Sequence, residues 1–216
     1  PAMYFLNSLE RRFGRFAIHH LALYLVAGQV VVLTFALFGR PDILNLIALL
    51  PAAALEGQWW RVVSFLFVPP VNPGQLSLVG AVFLAFGWYM FWLMSSALEG
   101  YWGAFRFNLF VFTGWLCTAA VAFLFPMSWA TNAFLAGTVF LAFAFLNPDF
   151  ELVLFFILPV KIKWLALIAW IGYAVNFVLG DWPTRLAVAA SVANFLLFFA
   201  GDIVARVRSG RRRMQH

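Results

Sequence analysis

The sequence predicts an all-α membrane protein: a six-helix transmembrane bundle with both termini inside and a long interfacial external loop after the first span. Three observations predict it. Of the 216 residues, 65% are apolar and only 10% charged, against roughly 25% charged and about 45–50% apolar in a soluble domain. That leaves too little polar side chain to cover a water-facing globule. Six apolar stretches lie at or near the length of about 20 residues that a spanning helix needs. The basic residues are distributed unevenly between the loops on the two sides. This composition excludes a soluble enzyme and a disordered chain. The net charge of +6 needs no nucleic-acid partner, because arginines flanking apolar spans set orientation in a bilayer.

The opening Pro1-Ala2-Met3 reads as a cleavage and cloning remnant ahead of a native start Met. Residues 1–16 form an interfacial segment, with Phe5, Leu9, Phe13 and Phe16 on one helical face and Glu10, Arg11, Arg12 and Arg15 elsewhere. A single six-span domain follows over 17–205, with spans at about 17–38, 76–98, 104–125, 130–146, 163–179 and 184–205. Turn chemistry separates the spans, as at Gly39-Arg40-Pro41, Glu99-Gly100 and Asn147-Pro148-Asp149. Residues 39–75 are too apolar to float in water and too broken to span. They belong at the outer interface, with Trp59, Trp60 and Arg61 at headgroup depth. Residues 150–160 make half a span, and Pro159 with the β-branched content points to a strand or re-entrant piece under the bundle. Residues 206–216 are a basic cytoplasmic tail.

Of the 14 Lys and Arg residues, only Arg40, Arg61 and Arg185 fall on the side of the loops after spans one, three and five. The remainder sit at the N-terminus, after spans two and four, and in the tail. The positive-inside rule therefore puts both termini in the cytoplasm. The expected location is a bacterial cytoplasmic membrane, with membrane lipids as partners.

Little in the chain suggests catalysis. Cys117 is the single cysteine, and the adjacent His19 and His20 point about 100° apart on a helix, so they do not clamp one metal. No metal site and no cofactor are implied. The carboxylates Glu99, Asp149, Glu151, Asp181 and Asp202 all fall at span ends, whereas a proton- or cation-coupled carrier usually keeps one at depth. The polar residues at depth are uncharged: Gln29, Asn132, Asn176, Ser191 and Asn194. Their simplest role is interhelical hydrogen bonding, worth about 1 kcal/mol or less each. The sharper expectation is that Asn132, Asn176, Ser191 and Asn194 converge on one outer-leaflet cavity. Small-residue pairs, Ala133 with Gly137 and Ala189 with Ala193, predict a tight crossing of spans four and six.

Three motifs resemble the rhomboid superfamily over about 55–205. Gly57-Gln58-Trp59-Trp60-Arg61 resembles its Trp-Arg loop motif. Leu98-Glu99-Gly100 with Gly103 and Arg106-Phe107 resembles the signature between helices two and three. The run from Phe155 to Leu165 resembles the approach to helix five. The resemblance implies a six-helix rhomboid-like fold with Trp60, Arg61, Glu99, Gly103 and Arg106 as structural residues. An expected Glu99–Arg106 network would tie the ends of spans two and three together.

The family's proteolysis needs a serine in helix four, a histidine in helix six and oxyanion donors in helix two. The corresponding positions fall near Ala133, Ser191, and Phe83 and Gly87, so the residues of that chemistry are missing. The expectation is a non-catalytic rhomboid-like protein, a pseudoprotease that binds transmembrane client proteins or lipids. The alternatives are a small-molecule carrier or lipid scramblase, and a hydrolase with a displaced nucleophile at Ser128, Ser191 or Cys117.

Overall fold

The computed structural model describes residues 10–40, 42–154 and 158–213, with side chains except at 134, 154, 158 and 200–213. Five stretches are long and apolar enough to cross a membrane: Glu10–Leu37, Leu78–Trp102, Ala104–Phe123, Ile162–Leu179 and Trp182–Phe199. The protein is a mainly helical, multi-pass membrane protein. In chain order its helices are α1 (Leu21–Leu37), the loop helices α2 (Ile43–Ile47), α3 (Pro51–Leu55) and α4 (Arg61–Ser64), then α5 (Leu78–Trp102), α6 (Ala104–Phe123) and α7 (Ala133–Leu146). The hairpin β1 (Glu151–Leu154) and β2 (Leu158–Lys161) precedes α8 (Ile162–Leu179) and α9 (Trp182–Arg213).

The boundaries depart from the sequence expectation where single residues dictate. The first span starts at Leu21 rather than residue 17, because His20 adopts a left-handed backbone (φ 56°) and breaks the chain direction. Glu99 and Gly100 do not turn; α5 runs through them to Trp102 and stops at Gly103, whose φ of 81° and ψ of 156° suit only glycine. The Gly103 N–H closes α5 on the Glu99 carbonyl at 2.8 Å, while its own carbonyl accepts from Phe107 N–H at 3.2 Å at the start of α6. Gly103→Ala should therefore lose roughly 1–3 kcal/mol, read as a lower midpoint of thermal unfolding in detergent. A midpoint unchanged from the parent would mean that the α5–α6 corner can relax. At the far end, α9 continues past residue 205 to Arg213. The arginine side chains of the tail, like residues 1–9 and 214–216, lie outside the described residues.

The centre of the bundle is α7. Leu135, Thr138, Val139, Leu141, Ala142, Phe143 and Ala144 are all buried, and α5, α6, α8 and α9 pack around the helix. Aromatic rings fill the α7–α9 seam: Phe195 stacks on Phe199 at 4.8 Å, and Phe145 meets Phe199 edge-on at 5.0 Å. The expected small-residue crossing is not what joins α7 to α9. Ala189 and Ala193 are exposed, and a methyl group on Gly137 would strike Tyr173 of α8. The residue that permits close approach is Gly114 of α6, where an added methyl would lie 2.8 Å from Leu135 Cδ1 and 3.0 Å from Asn194 Nδ2.

That contact also fixes depth. Gly114 lies nine residues, or about 14 Å, before the end of α6 at Phe123. The first turn of α7 therefore begins well inside the bundle, opposite the middle of α6. Loop one follows it inward: the Trp115 indole N–H donates to the Val62 carbonyl at 2.7 Å.

The opposite end gathers the basic residues. The N-terminal turns, the α5–α6 corner and the α7–α8 connection meet there, with Tyr101 Oη donating to Asn147 Oδ1 at 2.9 Å. The half-span expected over 150–160 is an antiparallel hairpin, with Leu152 opposite Val160 and Glu151 opposite Lys161. Residues 155–157 lie outside the described residues. Alternation puts Leu152 inside and Glu151 and Val153 outside. Asp149 binds Lys163 at 3.3 Å and Lys161 at 3.5 Å. The Lys163 hydrogen bond and the two lysine charges hold its carboxyl below the usual range.

Candidate functional site

Non-helical backbone at membrane depth must have its polar groups satisfied by protein. Loop one meets that demand with side chains. The short helix α2 ends with carbonyls that no backbone N–H can reach, and three side chains around α4 take four of them. The Arg61 Nη1 donates to Asn45 O (2.5 Å) and Ala48 O (2.8 Å), Trp60 Nε1 to Leu46 O (3.2 Å), and Ser64 Oγ to Ile47 O (2.8 Å). Arg61 Nε is steadied by Gln58 Oε1 at 2.7 Å. Arg61 is thus buried at 6% exposure, not displayed at headgroup depth. Trp59 (73%) and Trp60 (44%) remain exposed. The Trp-Arg motif is the staple that folds the loop back on itself.

The second half of the loop is held from the bundle. Asn132 Nδ2 donates to the carbonyls of Val68 (2.9 Å), Leu66 (3.0 Å) and Phe65 (3.4 Å). Gln29 Nε2 also donates to Leu66 O, at 3.0 Å, and its Oε1 accepts from Trp88 Nε1 at 2.7 Å. These bonds tie α1, α5 and the start of α7 to one loop segment.

Beside them lies a cavity of about 550 Å³ between α1, α5, α7 and the loop. Its walls include Leu25, Leu66, Leu84, Phe91 and Leu135, and its polar side chains are Gln29, Trp88 and Asn132. The donors named above already serve loop carbonyls or one another, so the cavity presents a largely apolar interior. It opens sideways past Phe83 and Gly87, both exposed on the flank of α5.

The four polar residues expected to share one cavity do not do so; only Asn132 reaches this one. Asn176 is exposed, with its Nδ2 bonded to Gly172 O of its own helix at 2.8 Å. Ser191, 6% exposed, donates to Ala187 O, also of its own helix. Asn194 is fully buried and joins α9 to α6: its Oδ1 accepts from Thr113 Oγ1 at 2.7 Å, and its Nδ2 lies 3.4 Å from Phe110 O. The reason is angular. Ser191 and Asn194 share the α9 face that packs on α6 and α7, with Val188 and Phe195 beside them, and that packing closes it.

Glu99 and Arg106 do not pair with each other. Arg106 Nε meets Glu10 Oε2 at 3.0 Å. Glu99 accepts from the His20 backbone N–H at 3.0 and 3.1 Å. The carboxylate thereby caps α1 at its left-handed N-terminal residue, where negative charge is favoured. Arg106 fastens the N-terminal segment, and Glu99 the start of α1, to the α5–α6 corner. Compared with known proteins, no family model matches the chain, and no curated protein matches it either.

A second, smaller cavity of about 290 Å³ lies between the end of α6, the α6–α7 connection and the start of α9. It holds Ser128, Thr131, Asp181 and Thr184. Asp181 Oδ1 accepts from Thr184 N–H at 3.0 Å, and hydrogen bonding from the Thr184 hydroxyl, then from this N–H, holds its carboxyl below the usual range. His19 and His20 stand at the other end of α6, so neither reaches Ser128. Trp88, Trp115 and Ser64 were missed from sequence. The available signal was the indole N–H itself, which needs an acceptor when it lies in hydrocarbon.

Proposed function

We propose that this protein is a rhomboid-like membrane protein without protease activity, whose cavity between α1, α5 and α7 receives an apolar segment of a transmembrane client. The cavity carries the reading: it is apolar, open to the side along α5, and its polar groups are already committed to loop one. Such a surface favours apolar side chains over a hydrophilic solute. The Trp-Arg loop, the glycine corner at Gly103 and the enclosed helix α7 support the family reading. The basic end, by the positive-inside rule, faces the cytoplasm.

The test is a photo-crosslinking residue at Phe83 in native membranes, with one at Phe112 on the exposed flank of α6 as control. A protein adduct at Phe83 alone, abolished by Gly87→Trp, supports client binding. Lipid adducts only, at both positions, overturn it. A fluorophosphonate probe that labels Ser128 or Ser191 would overturn the non-catalytic part.

A further inference from the structure

A groove of about 650 Å³ runs between the N-terminal turns, α1, the loop and α6. We infer that it binds one anionic phospholipid, with the phosphate among Arg11, Arg12 and Arg15 and one acyl chain along α6.

The argument begins with length. The α6 face of the groove runs through Phe105, Leu109, Phe112 and Trp115. The ten steps from Phe105 to Trp115 rise about 15 Å, half of a hydrocarbon core of about 30 Å. The groove is one leaflet deep, open at the basic end, and lies across from the cavity already described. At its mouth stand Phe13 and Phe16.

Charge selects the headgroup. The Arg12 guanidinium lies 5.6 Å from the Phe13 ring centre, and that of Arg15 lies 4.7 Å from the Phe16 ring centre. Arg11, Arg12 and Arg15 are exposed. The carboxylate nearest in sequence, Glu10, is taken by Arg106 at 3.0 Å. Arg12 and Arg15 thus flank the open end of an acyl-sized slot, with Arg11 on the same N-terminal turns, and none of the three forms an ion pair among the described residues. Asn108, one turn along from Phe105, places an amide near the expected level of the glycerol esters; its Oδ1 is buried and has no partner among the described residues.

Native mass spectrometry of the full chain, with dioleoyl phosphatidylglycerol against dioleoyl phosphatidylcholine, tests this. At about a factor of five per membrane-proximal charge, three arginines give a preference on the order of a hundredfold for one phosphatidylglycerol. The triple variant Arg11→Gln, Arg12→Gln, Arg15→Gln should lose that preference while still holding phosphatidylcholine. Ala17→Trp, which fills the groove and leaves the charges in place, should lose the tightly held lipid. Glycerol phosphate should not displace it, because the chain is part of the ligand. Thermal unfolding of each variant separates lost binding from lost folding. For a variant that unfolds, tryptophan quenching in the parent by acyl-brominated phosphatidylglycerol, stronger than by its phosphatidylcholine counterpart, still decides. Equal retention of the two lipids by the parent, or a lipid-free dimer that places a second copy on this face, overturns the proposal.

Discussion

Arg61→Ala will lower stability by about 3 kcal/mol, because hydrogen bonds from a charged donor are worth roughly 1.5–3 kcal/mol each and two partly buried carbonyls lose theirs. At this chain length that shifts the thermal midpoint by roughly 6–12 °C. The guanidinium is 6% exposed and bonds Asn45 O, Ala48 O and Gln58 Oε1 together. No other side chain spans that arrangement: a fork is needed to reach two carbonyls three residues apart while turning its third edge to an amide. Arg61→Lys keeps the charge as a point on a flexible stem and should recover less than half of the loss. Thermal unfolding of the three proteins in one detergent measures this. If lysine restores the parent midpoint, charge rather than the fork holds the loop.

Asn132→Leu has the second largest expected effect, about 2 kcal/mol, or roughly 4–8 °C in the same measurement. Its amide is the side-chain donor to Val68 O and Phe65 O, while Leu66 O keeps Gln29. Asn176→Leu is the informative partner. It removes an exposed bond within one helix and should leave stability within about 0.5 kcal/mol of the parent, as surface substitutions usually do. Equal losses from the two would mean that Asn132 acts only as a generic polar residue of a membrane helix, and that loop one is held elsewhere.

The helices were legible in the sequence because a run of apolar residues has few alternatives in a bilayer. Turn residues placed most boundaries to within a few positions. The failures came from backbone states that composition does not encode. His20 starts α1 late through a left-handed conformation, and Gly103, not Gly100, ends α5. The polar residues were found, but not their partners. A span position gives depth without direction, and Ser191 and Asn194 turned out to face helices rather than a cavity. The charged motif showed the reverse pattern. Glu99 and Arg106 sit where the sequence put them, yet one reaches the start of α1 and the other the N-terminal segment, because a seven-residue spacing across a glycine corner says nothing about what folds over it.

The enclosure of α7 has a consequence for biosynthesis. Two of its walls, α5 and α6, are translated before it, and the other two, α8 and α9, after it. A helix of 14 residues therefore leaves the ribosome into a half-built sheath, with Thr138 and the face later covered by Phe195 and Phe199 turned toward lipid. Only when α9 arrives does Asn194 reach Thr113 across the closed seam. The last helix to be made is the one that locks α7 in place. A nascent chain stalled short of α9 would present the membrane's quality-control proteases with an unsealed core.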